Sequence, residues 1–162
     1  MTVPQYMADA TERGAAFLTH FVESTPPEKR DWTPSVAGAV DLRSMLDMVG
    51  ECIAANRMFV GILQGAPPPA VGPIDAPRPF STWEEGKAQL AESAKALGDA
   101  IRSLTDADLE RTFTTRRGEM PCTYLIEMAV RNMHYHTGQV NLFQLLYGDA
   151  VFHFPAPKPI AP

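Results

Sequence analysis

The chain has 162 residues, 45% of them hydrophobic, and a formal net charge of −5, which suits one domain with a buried core. The acidic balance excludes electrostatic steering toward nucleic acid or an anionic membrane, and no apolar run reaches membrane-spanning length. The opening MTVPQYMADATERG has neither the basic start nor the apolar stretch of a secretory signal, so a cytoplasmic location is expected.

From about residue 5 to residue 24, Met7, Ala10, Phe17, Leu18 and Phe21 recur at steps of three and four, which predicts a helix with one buried stripe. The segment STPPEKRDWTPS ends it, because proline cannot continue a helix. Asp41 is the expected N-cap of a second helix over residues 41–63, with a stripe of Leu42, Met45, Leu46, Val49, Ile53, Val60 and Leu63. Met48, Cys52 and Phe59 widen that stripe, so this helix should pack on more than one side.

The connection QGAPPPAVGPIDAPRPF is long and rich in proline. A segment of this kind crosses the bundle or covers a site as a lid. Ser81 or Thr82, with Glu84 and Glu85 behind, starts a third helix over residues 82–103. TDADLERTFTTRRGEMPC then reads as irregular, with a short extended piece around residues 111–115. A fourth helix is expected from Pro121 to residue 147, ended by Gly148. Beyond it, residues 154–162 form a proline-rich arm. With no convincing strand pair, the expected fold is all-α: a single-domain four-helix bundle over residues 1–162 with a long crossover between the second and third helices.

The two cysteines, Cys52 and Cys122, form no CxxC or zinc-type cluster and read as small buried hydrophobes. The informative interruption lies in the fourth helix. Its expected core stripe runs Leu125, Met128, Ala129, Asn132, His136, Val140, Phe143 and then Leu146 or Tyr147. Asn132 and His136, four residues apart, should lie one above the other on the inner face, with Gln139 bordering them. His134 and Glu127 fall toward the other side. A polar group left unpaired inside a bundle costs about 1–3 kcal/mol, so these side chains must meet partners or line a cavity. Glu51 on the second helix, with Met48, Ala55, Met58 and Ile62 as helical neighbours, and His20 on the first are within range. A carboxylate in that setting needs a cation or donor: a metal ion, Arg57, Arg131 or His136.

Three stretches, DWTPS, RSMLDMVGECIAANRMF and NMHYHTGQVNLFQLLYGD, together with the order of helices, resemble the DinB-like superfamily. That group includes YfiT-type proteins classed as hydrolases and thiol-dependent transferases. The resemblance covers nearly the whole chain, and His-x-Gly-Gln at residues 136–139 is its most specific element. It implies a helical bundle in which three histidines hold a divalent metal, nickel or zinc. Carried over by position, the last of these is His136; the place four residues earlier holds Asn132, and the second-helix place falls at or beside Glu51. The chain is thus a divergent member in which two of the three histidines are replaced.

Two arrangements answer to these residues. In one, Glu51, Asn132 and His136 hold a divalent ion, although an amide oxygen is a weak ligand. In the other, which the substitutions favour, Glu51, Asn132, His136 and Gln139 form a metal-free hydrogen-bonded cluster. The enzymatic reading is a metal- or thiol-dependent hydrolase or transferase acting on a small molecule between the second and fourth helices. Glu51 and His136 would be catalytic, with Gln139 and Met48 behind them. The alternative is a non-catalytic bundle that binds a small ligand or forms a homodimer, its methionines lining an adaptable pocket. Arg116 and Arg117 in TTRRGEM fit an anionic substrate or an ordinary solvated loop. His20 and His153 read as structural or surface residues.

Overall fold

A computed structural model describes residues 1–35 and 42–155. Its long helices are α1 (Val3–Glu23), α2 (Met45–Leu63), α3 (Trp83–Arg102) and α5 (Cys122–Leu146). A single turn, α4 (Asp106–Leu109), and a hairpin of β1 (Thr112–Thr115) and β2 (Gly118–Pro121) lie between α3 and α5. The architecture is all-α with that one small hairpin added.

Three of the long helices begin with reciprocal caps. Thr2 with Gln5, Ser44 with Asp47 and Thr82 with Glu85 each pair a side-chain oxygen with the N3 amide and an N3 side chain with the cap amide. The second helix therefore starts at Met45; Asp41, the expected cap, lies outside the described residues. Leu42, expected on the core stripe, precedes the helix and is exposed.

Each of α1 and α2 is flanked by both α3 and α5, which gives a four-sided bundle. Leu18, Met45, Ile53, Leu90 and Met133 centre one part of the core, and Ala55, Leu97, Ile101, Leu125 and Ile126 the other. The stripe of α1 holds toward its C-terminal end, where Leu18 and Phe21 are buried as expected, and differs before it. Ala8, Thr11, Gly14 and Ala15 are buried, whereas Met7, Ala10 and Phe17 are only partly so. Small residues face inward because α3 comes close: a Cβ added at Gly98 would stand 3.5 Å from the carbonyl of Ala8. On α5 the buried line runs through Met133, Thr137 and Gln144, and Leu146 is exposed.

The extended piece expected around residues 111–115 is β1, and the hairpin corrects the expectation that the rest of the segment is irregular. Thr112–Phe113–Thr114–Thr115 pairs with Gly118–Pro121, and Gly118 takes φ +98°, which the turn requires and glycine supplies. The long α2–α3 connection carries one 3₁₀ turn (Pro73–Asp75) and packs back along α2 as a strap. Arg78 anchors it, reaching Asp31 at 2.7 Å and Asp47 at 3.5 Å. Of the C-terminal arm, Phe154 packs on Phe17 and Phe21; residues 156–162 lie outside the described residues. No helix among the described residues is long and apolar enough to cross a membrane.

Candidate functional site

A cavity of about 450 Å³ opens between α2, α5, the strap and the hairpin turn. Its size falls in the usual range for small-molecule sites, about 300–1,000 Å³. Glu51 and Asn132 are its polar groups from the two long helices, Met58, Met120 and Met128 are its softest walls, and Arg116 and Arg117 enter from the turn.

Glu51 sits at mid-helix on the face of α2 that turns toward α5, its side chain 13% exposed. Two cations or donors converge on one of its oxygens: Arg43 Nη1 pairs with Oε2, and His136 Nε2 lies 3.3 Å from the same atom. Arg43 can reach it because Ser44 ends the preceding loop and leaves Arg43 outside the helix. Burial pushes the Glu51 carboxyl up, but the neighbouring His136 and Arg43 together outweigh it, and the group is held below its ordinary value of 4.5.

His136 is almost fully buried at 1% exposure. Its Nδ1 lies 2.7 Å from Gln139 Oε1, one turn further along α5. With the amide oxygen facing the ring, Nδ1 carries the proton donated to it, and the state of Nε2 is left open. Nε2 makes no hydrogen bond of acceptable geometry despite its 3.3 Å approach to Glu51. Nε2 is thus a buried ring nitrogen beside a carboxylate oxygen with no hydrogen bond between them.

Asn132 is half-buried and directs its amide Nδ2 at Cys52 Sγ, 3.6 Å away. Cys52 is fully buried, and that burial, with the neighbouring Glu51 charge, pushes its thiol well up; it is no nucleophile in the folded chain. Met48, expected beside the site, is 3% exposed and belongs to the core; the methionines of the cavity wall are Met58 further along α2, Met120 on β2 and Met128 on α5. Arg57 and Arg131, the other suggested partners of Glu51, are taken up by Gln89 at 2.9 Å and Glu127 at 3.4 Å. His134 is exposed and stacks on Phe17 at 5.8 Å. His20 borders a separate groove between α1 and α3, and His153 pairs with Asp149 at 2.7 Å.

A divalent ion is not well served by these side chains. Among the described residues no three His, Cys, Asp or Glu side chains converge, and Arg43 already holds the one carboxylate. Glu51, Asn132 and His136 would offer one carboxylate, one imidazole and one amide oxygen against a guanidinium. The residue that sequence reasoning missed is Arg43, which pairs with the Glu51 carboxylate.

The family model of the DinB superfamily matches residues 10–140. The chain therefore belongs to the DinB superfamily. No curated protein matches it.

Proposed function

We propose that this DinB superfamily protein binds a small molecule in the cavity between α2 and α5 and exchanges a proton with it through Glu51, with His136 behind as the proton partner. The chemistry would be a hydrolase or transferase reaction that needs no resident metal. The observation that carries this reading is the buried His136 Nε2, unpartnered and 3.3 Å from the carboxylate that lines the cavity.

Glu51 is the group in reach of a ligand. Its Oε2 is occupied by Arg43 and His136, so the other oxygen is the one left for the cavity. A proton taken by the carboxylate can pass to Nε2, since Gln139 fixes the ring and holds the Nδ1 side. Arg43 supplies a fixed positive charge that keeps the carboxylate ionised as a base. Asn132 adds an amide to the wall for orientation.

The metal-free part is tested on protein purified without a histidine tag. Elemental analysis should find no stoichiometric nickel or zinc, and neither added ion should raise the melting temperature. One chelatable ion per chain whose removal lowers the melting temperature sinks it. The proton-transfer part is tested on any substrate found by screening. Glu51→Gln and His136→Asn should each lower kcat by about a hundredfold or more, with KM moved far less. Unchanged kcat in both variants removes the pair from the chemistry.

A non-catalytic ligand-binding bundle has one observation in its favour: Arg43 and His136 grip the same oxygen, as a purely structural cluster would. It is separated from the enzymatic reading by the same two variants, which would then change stability and leave turnover untouched.

A further inference from the structure

The hairpin turn puts two arginines side by side at the mouth of the cavity. Arg116 and Arg117 occupy the positions between paired residues Thr115 and Gly118. Local geometry does not ask for arginine there. Neither arginine has positive φ and Gly118 after them does, at +98°, so this is a type I turn closed by a left-handed glycine, whose central positions accept most residues; the Thr115 hydroxyl, which accepts from the Arg117 amide at 3.1 Å, helps to shape it. Both arginines are exposed yet line the cavity.

Neither guanidinium has an ion-pair partner among the described residues. Arg43, Arg78, Lys87, Lys95, Arg102, Arg111 and Arg131 are each held by a carboxylate, whereas Arg13, Lys29 and Arg30 lie over aromatic rings and Arg57 meets Gln89. The chain carries 19 acidic against 14 basic residues; the Asp75 carboxylate on the strap borders the same Gly72 position as Arg116 without pairing with it. Arg116 is also seated against the strap. A Cβ built at Gly72 would fall 2.3 Å from its Nη1, so the absence of a side chain there leaves room for the guanidinium at the cavity rim. Below the two charges the walls are apolar: Met58, Ile62, Ile74, Met120 and Met128.

From this layout we infer that the cavity takes an amphiphilic small anion, with a carboxylate or phosphate head gripped by Arg116 and Arg117 and an apolar body lying among the methionines. Guanidinium forks match either head bidentately, and methionine walls adapt to a flexible chain. The inference deepens the proposed function by naming its ligand class: the head is held at the turn, and the body reaches toward Glu51.

Isothermal titration of the full chain with decanoate, decyl phosphate and decanol, each below its micelle concentration, tests it. The two anions should bind one per chain and decanol at least tenfold more weakly. Arg116→Gln/Arg117→Gln should lose at least tenfold in decanoate affinity with an unchanged melting temperature, and Arg116→Lys/Arg117→Lys should recover part of the loss. Tighter binding of decyl phosphate marks the phosphate head as the natural one, and tighter binding of decanoate marks the carboxylate. Decanol binding as tightly as decanoate, or the double glutamine variant binding normally, overturns the anion grip. The anion grip is read by calorimetry on the arginine variants and the proton-transfer role by turnover of the Glu51 and His136 variants, so failure of one and failure of the other are read in separate experiments.

Discussion

Replacing Arg43 by methionine removes the charge that faces Glu51 while keeping most of the aliphatic volume. Exposed ion pairs contribute about 0–1 kcal/mol, whereas breaking a fully buried pair costs about 3–5 kcal/mol. Arg43 and Glu51 lie between these cases, with side chains 33% and 13% exposed, and His136 stays beside the carboxylate at 3.3 Å after the change. A loss of about 2 kcal/mol at neutral pH follows, or roughly 4–8 °C in melting temperature for a domain of this size. Glu51→Gln should lose about 1–2 kcal/mol, because Arg43 is exposed enough to rehydrate. The double variant should fall short of the sum by about 1 kcal/mol or more, the coupling expected of residues in direct contact.

The pH dependence of that loss carries its own sign. The folded Glu51 carboxyl titrates below the ordinary 4.5, so its contribution is complete above the unfolded value and disappears as pH falls through the folded one. Without Arg43, burial is less opposed and the folded value moves back up. Urea unfolding at a series of pH values should therefore show the parent and Arg43→Met curves furthest apart near pH 7 and converging as pH falls below about 4.5. An equal gap at pH 7 and pH 3.5, or zero coupling in the double variant, would refute the ion pair as the organiser of this site.

Ser44→Ala deletes the cap of α2, where Ser44 Oγ also lies 2.7 Å from Asp31; thermal unfolding should report a loss of about 1 kcal/mol, within the usual range for N-caps. Gly86→Ala drives a methyl to within 2.7 Å of the Phe80 ring. Overpacking of about 1–3 kcal/mol should exceed the helix-propensity gain of about 1 kcal/mol, so denaturant titration should show net destabilisation. Gly72→Ala displaces the flexible end of Arg116 and otherwise meets Asp75 at an ordinary 3.9 Å; it should leave stability within about 0.5 kcal/mol and weaken decanoate binding severalfold in calorimetry. Cys52 and Cys122 are both buried and both have thiols pushed up, so an aromatic disulfide reagent at pH 8 should titrate them only after the chain is denatured.

How much of this could be read from the amino acids depends on what kind of signal each residue gives. Hydrophobic recurrence gives the long helices and their order, because burial of a stripe is what holds each in place. It finds Leu18 and Phe21 on α1 but misses the first half of that helix, where Ala8, Thr11, Gly14 and Ala15 are buried and small residues barely register as a stripe. The hairpin is obscured for a related reason: its turn is Arg–Arg rather than a turn-favouring pair. The inner placement of Asn132 and His136 and the outward turn of His134 follow from helical spacing alone, and so does the neighbourhood of Glu51. Arg43 does not. If the second helix is begun at Asp41, Arg43 becomes a helical residue eight positions from Glu51, about 12 Å away along the axis, and drops out of consideration. Moving the start to the Ser44 cap frees Arg43 to fold back onto the carboxylate. One helix boundary thus decides whether Glu51 is read as a carboxylate waiting for a metal ion or as one already matched by a side chain of its own chain.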